Sequence, residues 1–296
     1  MQRGKPTNTR QADAIFTSDW HLREDHPVCR TDDFWSEQWR KLDFISDLQK
    51  QHDCPVVHAG DLFDFWKPSP MLLSKAMEHL PAQFLTVYGN HDLPQHSMEL
   101  AYKSGVHCLE KAGCLHVIPG QHWGQAPASA ELLMLRIEGR NILVWHVMTW
   151  QGKEPWHGCK DDKSSTLLRK YTEPDVILTG HNHKPFTETL NGRLLLNPGS
   201  IFRMNADQDG CRPAVWLYYA GTNTVEPVYL PIKEDVVSRQ HIEVKQERDN
   251  RIDAFISTLN SDWEAEMSFE QNIEIFKEKN NVPEDVMLLV YESINH

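Results

Sequence analysis

Three apolar runs alternate with two amphipathic ones in the first third of the chain, and each apolar run ends on glycine or on side chains with spare lone pairs. "DAIFTSDWH" (13–21), "CPVVHAGD" (54–61) and "AQFLTVYGN" (82–90) read as strands that enter loops. Between the first two, "RTDDFWSEQWRKLDFISDLQKQ" (30–51) repeats Phe34, Trp35, Gln38, Leu42, Ile45 and Leu48 near helical spacing, with Asp32 or Asp33 available as cap. "SPMLLSKAMEHL" (69–80) reads as a second, shorter helix. A β-α-β-α-β order with crossovers of this length places parallel strands at the centre of a sheet. Further strands are expected at 115–118, 132–138, 141–147, 175–179, 193–197, 214–219 and 225–230. The short turns "EGRN" and "NGR" add an antiparallel part. The fold class is therefore α/β.

Composition shifts near residue 232. "KEDVVSRQHIEVKQERDNR" is charged and holds no Gly or Pro. Beyond it, Ile252, Phe255, Ile256 and Leu259 share one helical face, "SFEQ" (268–271) has capping-box form, and Pro283 suits a first helical turn. The expected organisation is a main domain over 12–232 and a small, mostly helical C-terminal appendage over 233–296.

The remaining composition narrows the class. With 40% hydrophobic and 24% charged residues, the 296-residue chain reads as soluble and globular. No apolar run approaches the ~18–20 residues of a membrane helix, and "MQRGKPTNTR" has no apolar signal core behind it. A cytoplasmic protein without membrane attachment is expected. Six cysteines without a C-x-x-C pair argue against a zinc ribbon or a thioredoxin-type site, and reduced, structural thiols are expected. A net charge of −12 argues against DNA binding through a generally basic surface.

Five stretches share one trait, a position at the carboxyl end of an expected strand. They are "SDWH" (Asp19, His21), "GDLFD" (Asp61, Asp64), "GNHD" (Asn90, His91, Asp92), "VWHV" (His146) and "GHNH" (His181, His183). Open α/β sheets bind ligands in the crevice beyond those ends. D-x-H and H-x-H put two donors on one side of an extended backbone. Carboxylate, imidazole and amide oxygen without thiolate suit manganese, iron, zinc or similar divalent ions. Any one stretch has a plain structural explanation: a polar turn for "GNHD", a hydrogen-bonded core histidine for His146, an exposed loop for "GHNH". His58 and His79 fall in that plain class. The five in order are much harder to explain that way.

This ordered set resembles the calcineurin-like metallophosphoesterases over roughly residues 13–230. The resemblance implies a metallophosphoesterase-type β-sandwich with mixed sheets flanked by helices. It implies two divalent metal ions, manganese first, with iron, zinc or magnesium as alternatives. Asp19, His21, Asp61 and His183 would hold one ion; Asp61, Asn90, His146 and His181 would hold the other, with Asp61 bridging. His91 would face the substrate, Asp64 would orient His91, and Asp92 would support the ligands. The chemistry implied is phosphoester hydrolysis by a metal-bridging hydroxide.

The surroundings of the motifs bear on the substrate. "GDLFD" followed by a Pro-rich turn and a helix, and "GNHD" followed by proline, resemble SbcD-type double-strand-break-repair nucleases. That resemblance implies a DNA substrate, an ATPase partner subunit and a homodimer formed through helices near the catalytic face, with 71–80 or the terminal helices as candidates. Two features depart from it: "HLR" (21–23) stands where those nucleases carry "HLG", and the chain is acidic. Trp66, Trp150 and Trp156 lie near motif loops and either stack on bases or pack the loops. A small-molecule phosphodiesterase or phosphatase stays open, as does a non-catalytic scaffold that keeps the metal site.

Overall fold

The computed structural model describes residues 10–118, 121–125, 133–261 and 269–294. Strands β1 (Ala14–Thr17), β2 (Val56–His58), β3 (Phe84–Thr86) and β4 (His116–Val117) run parallel. β10 (Ala214–Tyr219) and β11 (Thr224–Tyr229) extend this sheet antiparallel to β1, in the order β11-β10-β1-β2-β3-β4. A second sheet runs β5-β6-β7-β9-β8, from β5 (Leu135–Ile137), β6 (Arg140–Trp145), β7 (Val176–Thr179), β8 (Phe186–Leu190) and β9 (Arg193–Asn197). Within it β6, β7 and β9 are parallel.

Period-two alternation explains the layering. In β1, Ala14 and Phe16 face the space between the sheets, while Ile15 faces outward. Ile142 and Val144 of β6, Val176 and Leu178 of β7, and Leu194 and Leu196 of β9 fill the same inter-sheet space. Their odd neighbours Leu143, Trp145, Ile177 and Leu195 pack outward on Leu167 and Leu168 of α4 (Ser164–Lys170). The first sheet's outer face is covered by α1 (Phe34–His52), α2 (Pro70–His79) and α3 (Gly105–Lys111) through Leu42, Ile45, Leu72 and Val106. Strands buried on both faces read as continuous apolar runs for this reason. Of the two expected cap candidates Asp33 caps α1, accepting from Ser36 N at 3.1 Å, and Ser69 caps α2, accepting from Leu72 N at 3.1 Å.

Expected "EGRN" and "NGR" turns close the β5–β6 and β8–β9 hairpins, with Glu138, Gly139, Asn191 and Gly192 at positive φ. β8, α3 and α4 have no counterpart in the sequence reading. β8 is an edge strand of mostly half-buried residues, and both helices are seven residues long, so neither type shows a strong period.

The chain divides into two compact units between Val237 and Ser238. The charged segment expected to begin the appendage at 233 first stays with the main unit. Lys233 Nζ lies 2.8 Å from Glu37 Oε1, Arg203 donates to Lys233 O, and Thr31 N donates to Val236 O at 3.0 Å. The second unit contains α5 (Gln240–Ser261), α6 (Phe269–Asn280) and α7 (Glu284–Ile294). Ile273 and Phe276 pack on Met287 and Val290, and Tyr291 donates to Glu274 Oε1 at 2.8 Å. Pro283 precedes α7, its carbonyl accepting from Val286 N and Met287 N. Ser268 of the expected capping box, and the side chains of Phe255, Ile256 and Leu259, lie outside the described residues. Among the described residues no helix is long and apolar enough to cross a membrane.

Phe16 is fully buried between the sheets and stacks on Tyr218 at 4.8 Å. Phe16→Ala is expected to destabilise the main unit by ~3–5 kcal/mol through loss of apolar contact and a residual cavity, read from urea unfolding. A loss under ~1 kcal/mol would mean that the sheets do not pack through this ring.

Candidate metal centre

Parallel strands present their carboxyl ends along one edge of each sheet, and the two edges meet. Asp19 and His21 follow β1, Asp61 follows β2, and Asn90 comes four residues after β3. His146 follows β6, while His181 and His183 come just after β7. Contacts across the edges are direct. His181 N donates to Asp19 Oδ1 at 2.9 Å, and Ser18 bridges to Ser200. Asn197, in the "LLLNPGS" stretch, donates to the Asn182 and Lys184 carbonyls and holds the "GHNH" loop in place.

Two donor clusters result. In one, His21 Nε2 and His183 Nε2 are 3.1 Å apart, and Asp19 Oδ1 lies 3.9 and 3.8 Å from them. In the other, Asn90 Oδ1 lies 3.1 Å from His146 Nε2 and 2.9 Å from His181 Nδ1. Asp61 Oδ2 touches both, 3.5 Å from His21 Nε2 and 3.3 Å from His146 Nε2. Asp19, Asp61 and His146 are at most 1% exposed.

The scaffold under these donors is strained. Asp19, His21, Asp61 and His181 have φ of 53°, 46°, 60° and 77°, in the left-handed region that side chains disfavour. Asp92 holds the bend together. Its carboxylate accepts from the backbone N–H groups of Asp61, Leu62, Phe63 and Gly89 at 2.9–3.3 Å. Burial and the neighbouring Asp61 raise Asp92 to about 7, against the backbone donors that favour its anion. Gly89 and Gly180 leave room that no side chain could share. A Cβ on Gly89 would lie 2.1 Å from Asp61 Oδ1, and one on Gly180 would lie 2.4 Å from Ala59 O.

Lone pairs converge here without enough protons between them. His146 Nδ1 donates to Ala59 O at 2.7 Å, so in the neutral ring Nε2 is an acceptor facing two more acceptors, Asn90 Oδ1 and Asp61 Oδ2. A proton or a cation must sit among them. Burial lowers the affinity of His146 for a proton, but Asp61 outweighs burial and pushes it up to about 9. Burial likewise raises Asp61, and His146 outweighs it, holding Asp61 far below the carboxylate range. His21 is raised, its burial overcome by Asp64, Asp61 and Asp19. His181 is lowered to about 4 by burial and His146, and burial also lowers His183. Both are neutral near pH 7, the form in which imidazole binds metals. Buried carboxylates, an amide oxygen and histidines with inward lone pairs fit a divalent cation.

The profile of the calcineurin-like phosphoesterase superfamily domain matches residues 14–215, more than half of the chain. The chain belongs to the calcineurin-like phosphoesterase superfamily. This calcineurin-like phosphoesterase matches no curated protein. Among solved structures it is similar to an archaeal phosphodiesterase, at 16% identity over 73% of this chain and 99% of that one, TM-score 0.42. It is similar to a conserved uncharacterized protein of Streptococcus pneumoniae TIGR4, a predicted phosphoesterase, at 17% identity over 73% and 96%, TM-score 0.34. A Vps29 single mutant from Entamoeba histolytica aligns at 15% identity over 74% and 99%, TM-score 0.34. The two mixed sheets flanked by helices are the metallophosphoesterase fold, and members of the superfamily are metal-dependent.

His91 stands exposed beside the centre, its N–H on Asp61 Oδ1 at 2.8 Å and its ring 4.7 Å from that of His21. Asp64, expected to orient His91, meets it through the main chain: His91 Nδ1 bonds the Asp64 carbonyl at 2.7 Å. The Asp64 carboxylate instead faces His21 Nδ1 at 3.4 Å and Arg23 at 3.3 Å. Trp150 donates to Asp161 O and packs its loop, Trp66 is half-buried, and Trp156 is exposed. His58 is fully buried, with Nδ1 on Thr86 Oγ1. Trp123 and Arg23 are missing from the sequence reading. Trp123 lies tilted against His181, ring centres 4.8 Å apart, and no spacing in "GQHWGQ" signals it; the "HLR" departure is the signal for Arg23.

Two outcomes are expected. Gly89→Ala abolishes tight divalent-metal binding, measured by calorimetry, because Asp61 Oδ1 must move. The second concerns pH. With its folded pKa raised from 6.5 to about 9, His146 stabilises the metal-free fold fully below about 6.5, and this contribution is lost as pH rises through about 9. A cation takes the proton's place, so the rise in melting temperature caused by manganese should be larger at pH 8.5 than at pH 6. The opposite order would show that the proton and the cation do not compete.

Proposed function

We propose that the protein is a dinuclear-metal phosphodiesterase whose leading substrate is DNA. The observation that supports it is the Asp61 carboxylate in contact with both donor clusters, as a bridging ligand requires. Asp19, His21, Asp61 and His183 would hold one ion; Asp61, Asn90, His146 and His181 would hold the other. Bound divalent ions of this kind supply Lewis acidity and lower the pKa of water toward ~7. Two ions bring four positive charges against the carboxylates of Asp19 and Asp61, so an anionic phosphoester can enter an acidic protein.

The chain's own residues set the rest. His91 Nδ1 is tied to the Asp64 carbonyl, which fixes the ring, and Nε2 has no hydrogen bond among the described residues. From there a protonated His91 can donate to the leaving oxygen or to the phosphoryl oxygens on which charge develops. His181 is held against Trp123 and by Asn90, and His146 against Ala59 O, so the donors are placed before substrate arrives. The motif context around "GDLFD" and "GNHD" supports DNA, and the exposed rings of Phe65, next to Asp64, and of Trp156 offer faces for bases.

His91→Asn is expected to lower turnover of bis-p-nitrophenyl phosphate by ~10²–10⁴-fold while manganese binding is kept. Normal turnover in that variant would remove His91 from the reaction. Single-stranded DNA, duplex DNA and a cyclic nucleotide, compared with manganese present, decide the substrate. Cleavage of the cyclic nucleotide alone would favour a small-molecule phosphodiesterase, and no turnover with any divalent metal would favour a binding scaffold.

A further inference from the structure

His21 turns one nitrogen toward the donor cluster and buries the other. Nε2 lies 3.1 Å from His183 Nε2 and 3.5 Å from Asp61 Oδ2. Nδ1 is buried and forms no hydrogen bond among the described residues. An imidazole that ligates through one nitrogen carries its proton on the other, and that proton needs an acceptor to fix the tautomer and the ring. The carboxylate in front of Nδ1 is Asp64, with Oδ1 at 3.4 Å. This is longer than the ~2.7–3.2 Å of a formed N–H···O bond, by a margin that a small rotation of the carboxylate closes.

Asp64 is itself held. Its Oδ2 lies 3.3 Å from Arg23 Nη1. Arg23 is anchored at both ends. Its Nε donates to Asp25 Oδ1 at 2.9 Å, and its Nη2 pairs with Asp25 Oδ2. Its backbone exchanges two 2.9 Å hydrogen bonds with the side chain of Gln38, which is fully buried on α1. A continuous connection therefore runs from α1 through Gln38, Arg23 and Asp64 to His21. Among the described residues no hydrogen bond joins the Asp64 carboxylate to His91, which uses the Asp64 carbonyl.

We propose that Arg23 and Asp64 are positioning residues for the metal ion held by His21: Arg23 fixes one oxygen of Asp64 so that the other accepts the Nδ1 proton of His21. This rests on the metal-centre reading above. It separates two roles that one carboxylate could have, support of a ligand or support of His91. Support of the ligand acts on metal affinity; support of His91 acts on turnover with the metals in place.

The test is manganese binding to the full chain by titration calorimetry, with the imidazole Nδ1–H signal of His21 followed by nitrogen NMR. Asp64→Ala is expected to weaken one of two manganese sites by ~10–100-fold and to lose the Nδ1–H signal. Asp64→Asn, which keeps an acceptor, should recover part of that affinity. Arg23→Gln should weaken the same site by a smaller factor, and the double variant Arg23→Gln/Asp64→Ala should bind no worse than Asp64→Ala alone. Arg23 is partly exposed, so its variant reports even if Asp64→Ala fails to fold. Unchanged manganese affinity in Asp64→Asn and Arg23→Gln overturns the proposal, as does lowered turnover at full affinity, which would assign Asp64 to His91. Absence of manganese binding in the unmodified protein would instead overturn the metal-centre reading, and this proposal with it.

Discussion

Asp61 can stand where it does only because nothing else competes for the space around its carboxylate. Its backbone takes a left-handed turn with φ of 60°, its N–H is held by Asp92, and Gly89 passes so close that even a methyl group would collide with it. The same Asp92 carboxylate holds the next two N–H groups and that of Gly89, so the ends of β2 and β3 form one unit. The second sheet supplies His146, whose Nδ1 is fixed by Ala59, two residues before Asp61. Each of these constraints acts on the same few cubic ångströms.

The cost of this arrangement is electrostatic and conformational. Four non-glycine residues at positive φ carry of order 1–3 kcal/mol of strain each in general. Buried acceptors that face one another are costlier still unless a positive charge lies between them. The attraction between His146 and Asp61 raises the one and lowers the other together, which favours a proton between them where no cation lies. The apolar layer between the sheets, with Phe16, Val57, Val144 and Leu178 buried, supplies the rigidity that holds such a site. Strain at the strand ends persists because the strands behind them cannot move.

Much of this was legible in the chain. β1, β2 and β3 announce themselves by apolar runs with glycine or acid at their ends, and α1 by its period and its Asp33 cap. The ten residues expected at the strand ends lie together at one end of the sandwich because parallel strands all end there. The unread parts failed for identifiable reasons. β8 is half-exposed on both faces, so "FTETL" shows neither clean alternation nor a buried run. α3 and α4 are too short to reveal a period. Charge and lack of Gly or Pro marked the start of the appendage at 233, but Lys233 and Val236 are held by partners in the main unit that lie far away in sequence.

Asp64 and Trp123 show where local pattern stops. The sequence alone determined which residue types lie at the strand ends and in what order, because strand periodicity and metal chemistry are local properties of short segments. It could not decide which oxygen of Asp64 meets which neighbour, since Arg23, His21 and His91 all lie within reach and the choice depends on Gln38 of α1. Nor could it place Trp123 against His181, a contact that needs the loop after β4 to cross to the other sheet. Those pairings are set by packing between elements distant in the chain, where a shift of one ångström changes a hydrogen bond but leaves no mark in the order of residues.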